Sequence, residues 1–297
     1  MLETETQLDA YLGLDTWGDE DILAALARSQ RRAVDCVAHS FINIARAADS
    51  LVSGLRAGGR LVYAGSGSAI RQGIVDGAEL PATFGLSVDR LAYLIAGGRE
   101  AVFDGTGATE DDRSAAEREA NALALGTSDR MIAISASGST PYTLGAAEVA
   151  KAAGTPVIAI VNNANSQLGQ TAQHEIFLDS GPEVIAGSTR MAAGTAQKCA
   201  LNLLSTLAHI RLGAVHDGLM VSVRADNTKL KARACGIVSR IAKVDPTRAH
   251  RALEAAEGDV KPAVLLCAGA KNLATARELI RLSNGNLRLA LQRLAAP

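Results

Sequence analysis

Twice in this sequence a short apolar, β-prone run empties into serines and glycines and then into a helical pattern. Arg60-Leu61-Val62-Tyr63-Ala64 leads to Gly65-Ser66-Gly67-Ser68 and a predicted helix reaching about Glu79, with Leu80-Pro81 as its stop. Met131-Ile132-Ala133-Ile134-Ser135 leads into Ala136-Ser137-Gly138-Ser139-Thr140, where Thr140 reads as an N-cap and Pro141 as the first helical residue. That second helix runs to Gly154 and is followed by apolar strands over Pro156–Val161 and Glu175–Leu178. Strands alternating with helices predict an α/β fold: a doubly wound parallel sheet flanked by helices.

The remainder of the chain reads as helix. Apolar positions at helical spacing from Asp19 to Leu55 predict two helices or one broken helix, ended by Gly58-Gly59. Ala193, Ala196, Ala200, Leu203, Leu204, Leu207 and Ile210 predict one long helix over Arg190–Arg211, rich in small residues that suit close helix packing. Beyond Asp226 the pattern is helical and charged, with breaks near Pro246, Gly258 and Gly285, as in a small C-terminal helical appendage. The expected organisation is an N-terminal helical segment, 1–50, packed on a sheet domain, 51–225, with a helical domain at 226–297. Aromatic residues make up only 3% of the 297 residues against 48% hydrophobic, so the core must be layers of Ala, Leu, Val and Ile.

Charge narrows the partners. Thirty basic and 31 acidic residues give a net charge of -1, which provides no global field for nucleic acid or anionic lipid. Cys36, Cys199, Cys235 and Cys267 are far apart among apolar neighbours and read as buried thiols. No CxxC pair occurs and the five histidines lack ligand spacing, which argues against a structural zinc site. The acidic amino terminus has no apolar leader segment, and no apolar run is long enough to span a bilayer, so the expectation is a reduced, cytoplasmic protein.

The two Ser/Gly loops carry the chemistry. Each opens a helix, where unpaired N–H groups and the positive end of the dipole attract an anion, and their hydroxyls add donors. One such loop alone is as readily an ordinary tight turn; two at successive strand ends favour a site. No Gly-Lys-Ser/Thr follows either loop, and the third glycine of a dinucleotide fingerprint is misplaced, so a small phosphate ester is the natural occupant.

These loops resemble those of the sugar isomerase (SIS) fold, whose members bind phosphosugars. Three segments narrow the likeness: Asp76-Gly77-Ala78-Glu79-Leu80-Pro81-Ala82-Thr83-Phe84-Gly85, Leu94-Ile95-Ala96-Gly97-Gly98, and Gly181-Pro182-Glu183-Val184 through Gly187-Ser188-Thr189-Arg190 to Gly194-Thr195-Ala196-Gln197-Lys198. Together they are similar to the N-acetylmuramic acid 6-phosphate etherases, from about Thr4 through Asn202-Leu203-Leu204-Ser205-Thr206 to the C-terminal helices. The resemblance implies cleavage of a lactyl ether, giving N-acetylglucosamine 6-phosphate and D-lactate without metal or organic cofactor. It implies Glu79 as proton donor and Glu110, in Ala108-Thr109-Glu110-Asp111-Asp112, as the second catalytic glutamate. It also implies a homodimer.

From the residues alone, Glu79 between Ala78 and Leu80 sits in an apolar setting suited to an acid, or is a solvated glutamate at a helix end; Glu110 is as suited to helix capping. Phosphate is expected on Gly65, Ser66, Gly67, Ser68, Ser135, Ser137, Gly138, Ser139 and Thr140. Glu183 either orients a substrate hydroxyl or pairs with a neighbour. Ser188, Arg190 and Lys198 belong to the most specific segment; the two cations either touch phosphate or lactyl carboxylate, or form surface ion pairs. His209 and His216 read as structural. Departures from the family pattern fall at the expected site: Ile70 replaces a glycine, Ser139 an arginine, and Leu80 the cysteine of a Cys-Pro-Pro-Thr run. Two other readings use the same loops, a non-catalytic phosphosugar sensor and an aldose–ketose phosphate isomerase.

Overall fold

The computed structural model describes residues 2–104, 107–223 and 228–296. The expected domain boundary at 225/226 lies outside the described residues. In chain order the elements are α1 (Asp19–Cys36), α2 (Phe41–Arg56), β1 (Leu61–Gly65), α3 (Gly67–Phe84), β2 (Leu91–Ile95), α4 (Arg113–Ala122), β3 (Arg130–Ser135), α5 (Pro141–Ala152), β4 (Val157–Val161), α6 (Gln167–Thr171) and β5 (His174–Phe177). There follow α7 (Ala192–Arg211), a hairpin of β6 (Val215–His216) and β7 (Leu219–Met220), then α8 (Thr228–Ala242), α9 (Pro246–Ala255), α10 (Val260–Cys267), α11 (Leu273–Leu282) and α12 (Leu287–Ala295). The chain divides into two compact units, Met1–Gly77 with Asp89–Ser205, and Ala78–Val88 with Thr206–Pro297.

The first unit holds a five-stranded sheet in the order β2-β1-β3-β4-β5, every pair parallel. Both faces are buried, as parallel sheets require. Val62, Ala64, Met131, Ala133, Val157, Ala159 and Val161 pack with Ala116, Ala120, Tyr142, Ala146 and Ala147 of α4 and α5. The alternate residues Tyr63, Ile132, Ile134, Ile158, Ile160 and Ile176 are fully buried on the opposite face. There α3 approaches so closely that a methyl at Gly73 would stand 2.8 Å from Cδ1 of Ile134 and 3.0 Å from Cδ1 of Tyr63. Alanine and glycine on these helices are therefore what let the layers close tightly around the strand side chains, Tyr63 among them.

Because the chain leaves β1 for β2 on one side and reaches β3 on the other, the sheet has its topological switch between β1 and β3. The two connections diverge at the carboxyl ends of these strands and open a crevice. Both Ser/Gly loops lie there, each directly after one of the two strands.

The second unit has its own core, in which Val221, Val223, Ala234, Val238, Ala249, Val260, Val264, Ala276 and Leu287 are buried together. Four of its helices start at a capping Asp or Asn: Asp245 accepts from the Arg248 amide, Asp259 from Lys261, Asn272 from Thr275 and Asn286 from Leu289, at 2.9–3.3 Å. Breaks fall at Pro246, Gly258 and Gly285, as expected.

Two elements differ from expectation. Pro81 does not end α3; the helix passes through it and stops at Gly85, whose φ of +72° is left-handed and whose amide donates to the Pro81 carbonyl. Proline removes one helical donor, and the buried Leu80 beside it, 3% exposed, holds that turn in place. The edge strand β2 was not anticipated. Leu91-Ala92-Tyr93-Leu94-Ile95 is as apolar as the interior runs, but it is half-buried through Tyr93.

Candidate active site

A cavity of about 240 Å³ opens at the switch point, lined by Ser66, Gly67, Ser68 and Ala69 after β1, by Ser135, Ala136, Ser137 and Thr140 after β3, and by Glu110. Thr4, Glu5, Gly187 and Thr189 complete it. The two loops predicted to bind phosphate thus share one cavity.

The first loop enters α3 abruptly. Ser66 is buried and its carbonyl accepts from the Ile70 amide, which opens the helix. The first amides of α3, those of Gly67, Ser68 and Ala69, have no partner within the helix and belong to cavity-lining residues. Gly65 is not in the lining; it ends β1, and its carbonyl accepts from Ala96.

In the second loop three hydroxyls face one another: Ser135 Oγ lies 2.9 Å from Thr140 Oγ1 and 3.3 Å from Ser137 Oγ, and Ser137 Oγ lies 3.5 Å from Thr140 Oγ1. Ser135 Oγ also accepts from the Gly138 amide at 3.0 Å, and Ser137 Oγ from the Ser139 amide at 3.2 Å. Gly138 is buried and Ser139 exposed, and neither lines the cavity. Thr140 occupies the N-cap position of α5 with Pro141 first in the helix, as predicted, but its side chain makes no capping bond. Its hydroxyl faces the serines instead, and hydroxyls can turn their hydrogens toward an arriving anion.

Glu110 sits on the 3-10 turn Gly107–Asp111 and is half-buried. The cap of α4 falls to Asp112, which accepts from the Ala115 amide at 2.8 Å, leaving Glu110 to the cavity. Its carboxylate lies over Gly67, where φ is +51°: a methyl there would stand 2.7 Å from Glu110 Oε1. Glycine is therefore demanded twice at this position, by backbone and by space.

Glu79 lies elsewhere. It is an exposed residue of the second compact unit, between an exposed Ala78 and a buried Leu80. Glu183 is only 1% exposed and outside the cavity. Its two oxygens accept from the amides of Ala192 and Ala193, both at 2.9 Å, at the start of α7. Burial pushes its carboxyl above the usual carboxylate range, and the two amide bonds pull the other way. Both oxygens are thus turned to a helix terminus. Ser188 is half-buried with its amide on Ile185; Arg190 and Lys198 are exposed, Lys198 on a separate groove with Val34, Phe41, Cys199 and Leu203.

Of the cysteines only Cys36 and Cys267 are buried, Cys199 and Cys235 being half-buried; all four are free. Burial, reinforced by Asp179, pushes the Cys36 thiol up to about 11. Among the described residues no group of three or more His, Cys, Asp or Glu side chains could hold a metal ion, and no helix is long and apolar enough to cross a membrane. The lining residues not named as site candidates in sequence are Ala69, Ala136, Thr4, Glu5, Gly187 and Thr189. Ala69 and Ala136 lie within the two loop segments, and for the other four the signal was their place in the family-like stretches that begin near Thr4 and at Gly187.

A doubly wound parallel sheet with hydroxyl-rich loops at its switch point defines an α/β protein of the SIS class. The SIS domain model matches residues 111–207, and the model of the glucokinase regulatory protein N-terminal SIS domain matches 43–151. A solved phosphoheptose isomerase from Francisella tularensis aligns over 65% of this chain and 98% of its own, at 20% identity and a TM-score of 0.47. N-acetylmuramic acid 6-phosphate etherases match far more closely. That of Rubrobacter xylanophilus is 40% identical over 98% of this chain and 96% of its own, and that of Deinococcus radiodurans 42% over 89% and 86%. That of Streptomyces avermitilis is 43% identical over 88% of this chain and 83% of its own. The chain belongs to the N-acetylmuramic acid 6-phosphate etherase family.

Proposed function

We infer that this chain is a carbon–oxygen lyase that cleaves the D-lactyl ether of N-acetylmuramic acid 6-phosphate, yielding N-acetylglucosamine 6-phosphate and D-lactate by elimination and hydration. Likeness over nearly the whole chain supports the activity. The observation that carries the site is the convergence of both Ser/Gly loops and Glu110 on one cavity at the switch point.

In this reading the phosphate lies against the first amides of α3 and the hydroxyls of Ser66, Ser68, Ser135, Ser137 and Thr140, a set of donors without a cation among the described lining residues. A carboxylate takes the C2 proton of the open-chain sugar; the electrons of that bond form the C2–C3 double bond conjugated with the C1 aldehyde, and the C3–O bond breaks. A carboxylic acid protonates the departing lactyl oxygen. Water then adds at C3 and a proton returns to C2. Glu79 is assigned the acid by its match to the family motif, leaving Glu110 for the C2 proton. The functional unit is a phosphosugar-binding domain over 51–225, with 1–50 packed on it and 226–297 appended. We place the protein in the cytoplasm, in keeping with its four free thiols, and as a homodimer, in keeping with the exposed apolar Val34, Phe41 and Leu203.

Running the reaction in water enriched in oxygen-18 tests this sequence of steps. Elimination followed by hydration places the label in the sugar phosphate, at O3, and leaves the released lactate unlabelled; label in lactate contradicts it.

A further inference from the structure

The cavity contains a second carboxylate that the mechanism does not use, Glu5. It rides on the 3-10 turn Glu3–Glu5, which is fastened to the floor of the site rather than trailing from it. Thr4 is 1% exposed, and its Oγ1 accepts from Asn163 Nδ2 at 3.1 Å. The same Nδ2 donates to the Ala136 carbonyl of the second loop at 2.8 Å, and Asn163 Oδ1 accepts from the Glu3 amide at 2.8 Å. On the other side the Gly187 amide donates to the Thr4 carbonyl at 3.0 Å.

This fastening sets the Glu5 carboxylate against Gly187, where φ is +75° and a methyl would stand 2.8 Å from Oε2. Glu110 is seated in the same manner on Gly67. Two carboxylates, each laid over a left-handed glycine that has no side chain to displace it, thus enter one cavity from distant parts of the chain.

A carboxylate beside a phosphate site must be kept from the anion or matched with donors. Among the described residues that line the cavity there is no Lys, Arg or His, so none of them supplies a cation to take up the acceptor capacity of Glu5. An approaching phosphate or lactyl carboxylate is repelled by it. What satisfies it is a neutral donor on the ligand, a sugar hydroxyl or the acetamido N–H.

We propose that Glu5 is a specificity-determining residue that accepts a hydrogen bond from the uncharged part of the phosphosugar, so that the amino-terminal turn helps select the sugar while the Ser/Gly loops hold its phosphate. This rests on the cavity being the phosphosugar site. A hydrogen bond to a charged acceptor in such a site corresponds to roughly 10- to 100-fold in affinity.

The test is calorimetric binding of N-acetylglucosamine 6-phosphate, glucose 6-phosphate and inorganic phosphate to wild type, Glu5→Ala, Glu5→Gln and Gly187→Ala, each checked for an intact thermal transition. Glu5→Ala weakens both sugar phosphates about 10- to 100-fold while phosphate binding stays within about twofold or tightens. Loss confined to N-acetylglucosamine 6-phosphate identifies the acetamido N–H as the donor. Gly187→Ala, which displaces the carboxylate without removing it, shows the same selective loss, and Glu5→Gln falls between. Sugar-phosphate binding by Glu5→Ala within about twofold of wild type overturns the proposal, as does an equal loss for all three ligands. D-lactate release by wild type, measured alongside, separates the two claims: unchanged binding with active wild type sinks Glu5 alone, whereas binding without lactate release sinks the etherase reading and leaves Glu5 to be decided by the affinities.

Discussion

Gly67 joins a left-handed backbone to a position directly under a carboxylate, and both demands fall on one residue. Gly67→Ala adds a methyl 2.7 Å from Glu110 Oε1 and puts a side chain at a φ of +51°. The backbone cost is about 1–2 kcal/mol, and a displaced carboxylate lowers kcat by about 100-fold, as shifts near 1 Å do in such sites. Steady-state kinetics and thermal denaturation on the one variant check both; full kcat in a folded Gly67→Ala variant would show that Glu110 is not held by this seat. At this scale the sequence displayed which residue types could bind an anion, because Ser and Gly after an apolar run is a local pattern. It did not display which acid faces the anion. The Glu110-Asp111-Asp112 run offers three candidates, and only folding shows that Asp112 caps α4 and Glu110 turns to the cavity. Glu5 was hidden for the same reason: Asn163, which fastens its turn, is 160 residues from Glu3 in the chain.

Helix termini organise the site at the next scale up. The start of α3 brings its free amides to the cavity, the start of α5 brings the Thr140 hydroxyl, and the start of α7 is held by the buried Glu183. Replacing the cap of α4 separates structural from chemical carboxylates on one short segment. Asp112→Ala is expected to lower stability by about 1 kcal/mol, whereas Glu110→Gln, with no capping bond to lose, leaves the denaturant midpoint essentially in place. Equal destabilisation by the two would contradict the division of roles. The interior strands and the long helices were legible because continuous apolar runs and helical periodicity are direct consequences of burial on two faces or one. The edge strand β2 was not, since the five-residue apolar run Leu91–Ile95 cannot be told from a piece of buried helix by periodicity alone. Nor was the passage of α3 through Pro81, where burial of the adjacent Leu80 outweighs a lost donor.

Among the described residues each compact unit has buried core residues of its own, and the parallel sheet lies in the first. Alternation of strand and helix made the doubly wound sheet predictable, and the strand order that puts the switch point between β1 and β3 then assigns the two loops to one crevice. Glu79 was named from sequence as the acid, and it belongs to the second unit, exposed on α3. Its assignment as the acid is a proposal carried by the family motif, and kinetics of its variant is what tests it. The most direct measurement is D-lactate release from N-acetylmuramic acid 6-phosphate by the purified wild-type protein, run beside Glu79→Gln and Glu110→Gln. Release by wild type, lost in both variants while their thermal transitions remain, is the predicted result; no release by a folded wild type that still binds the sugar phosphate would contradict it.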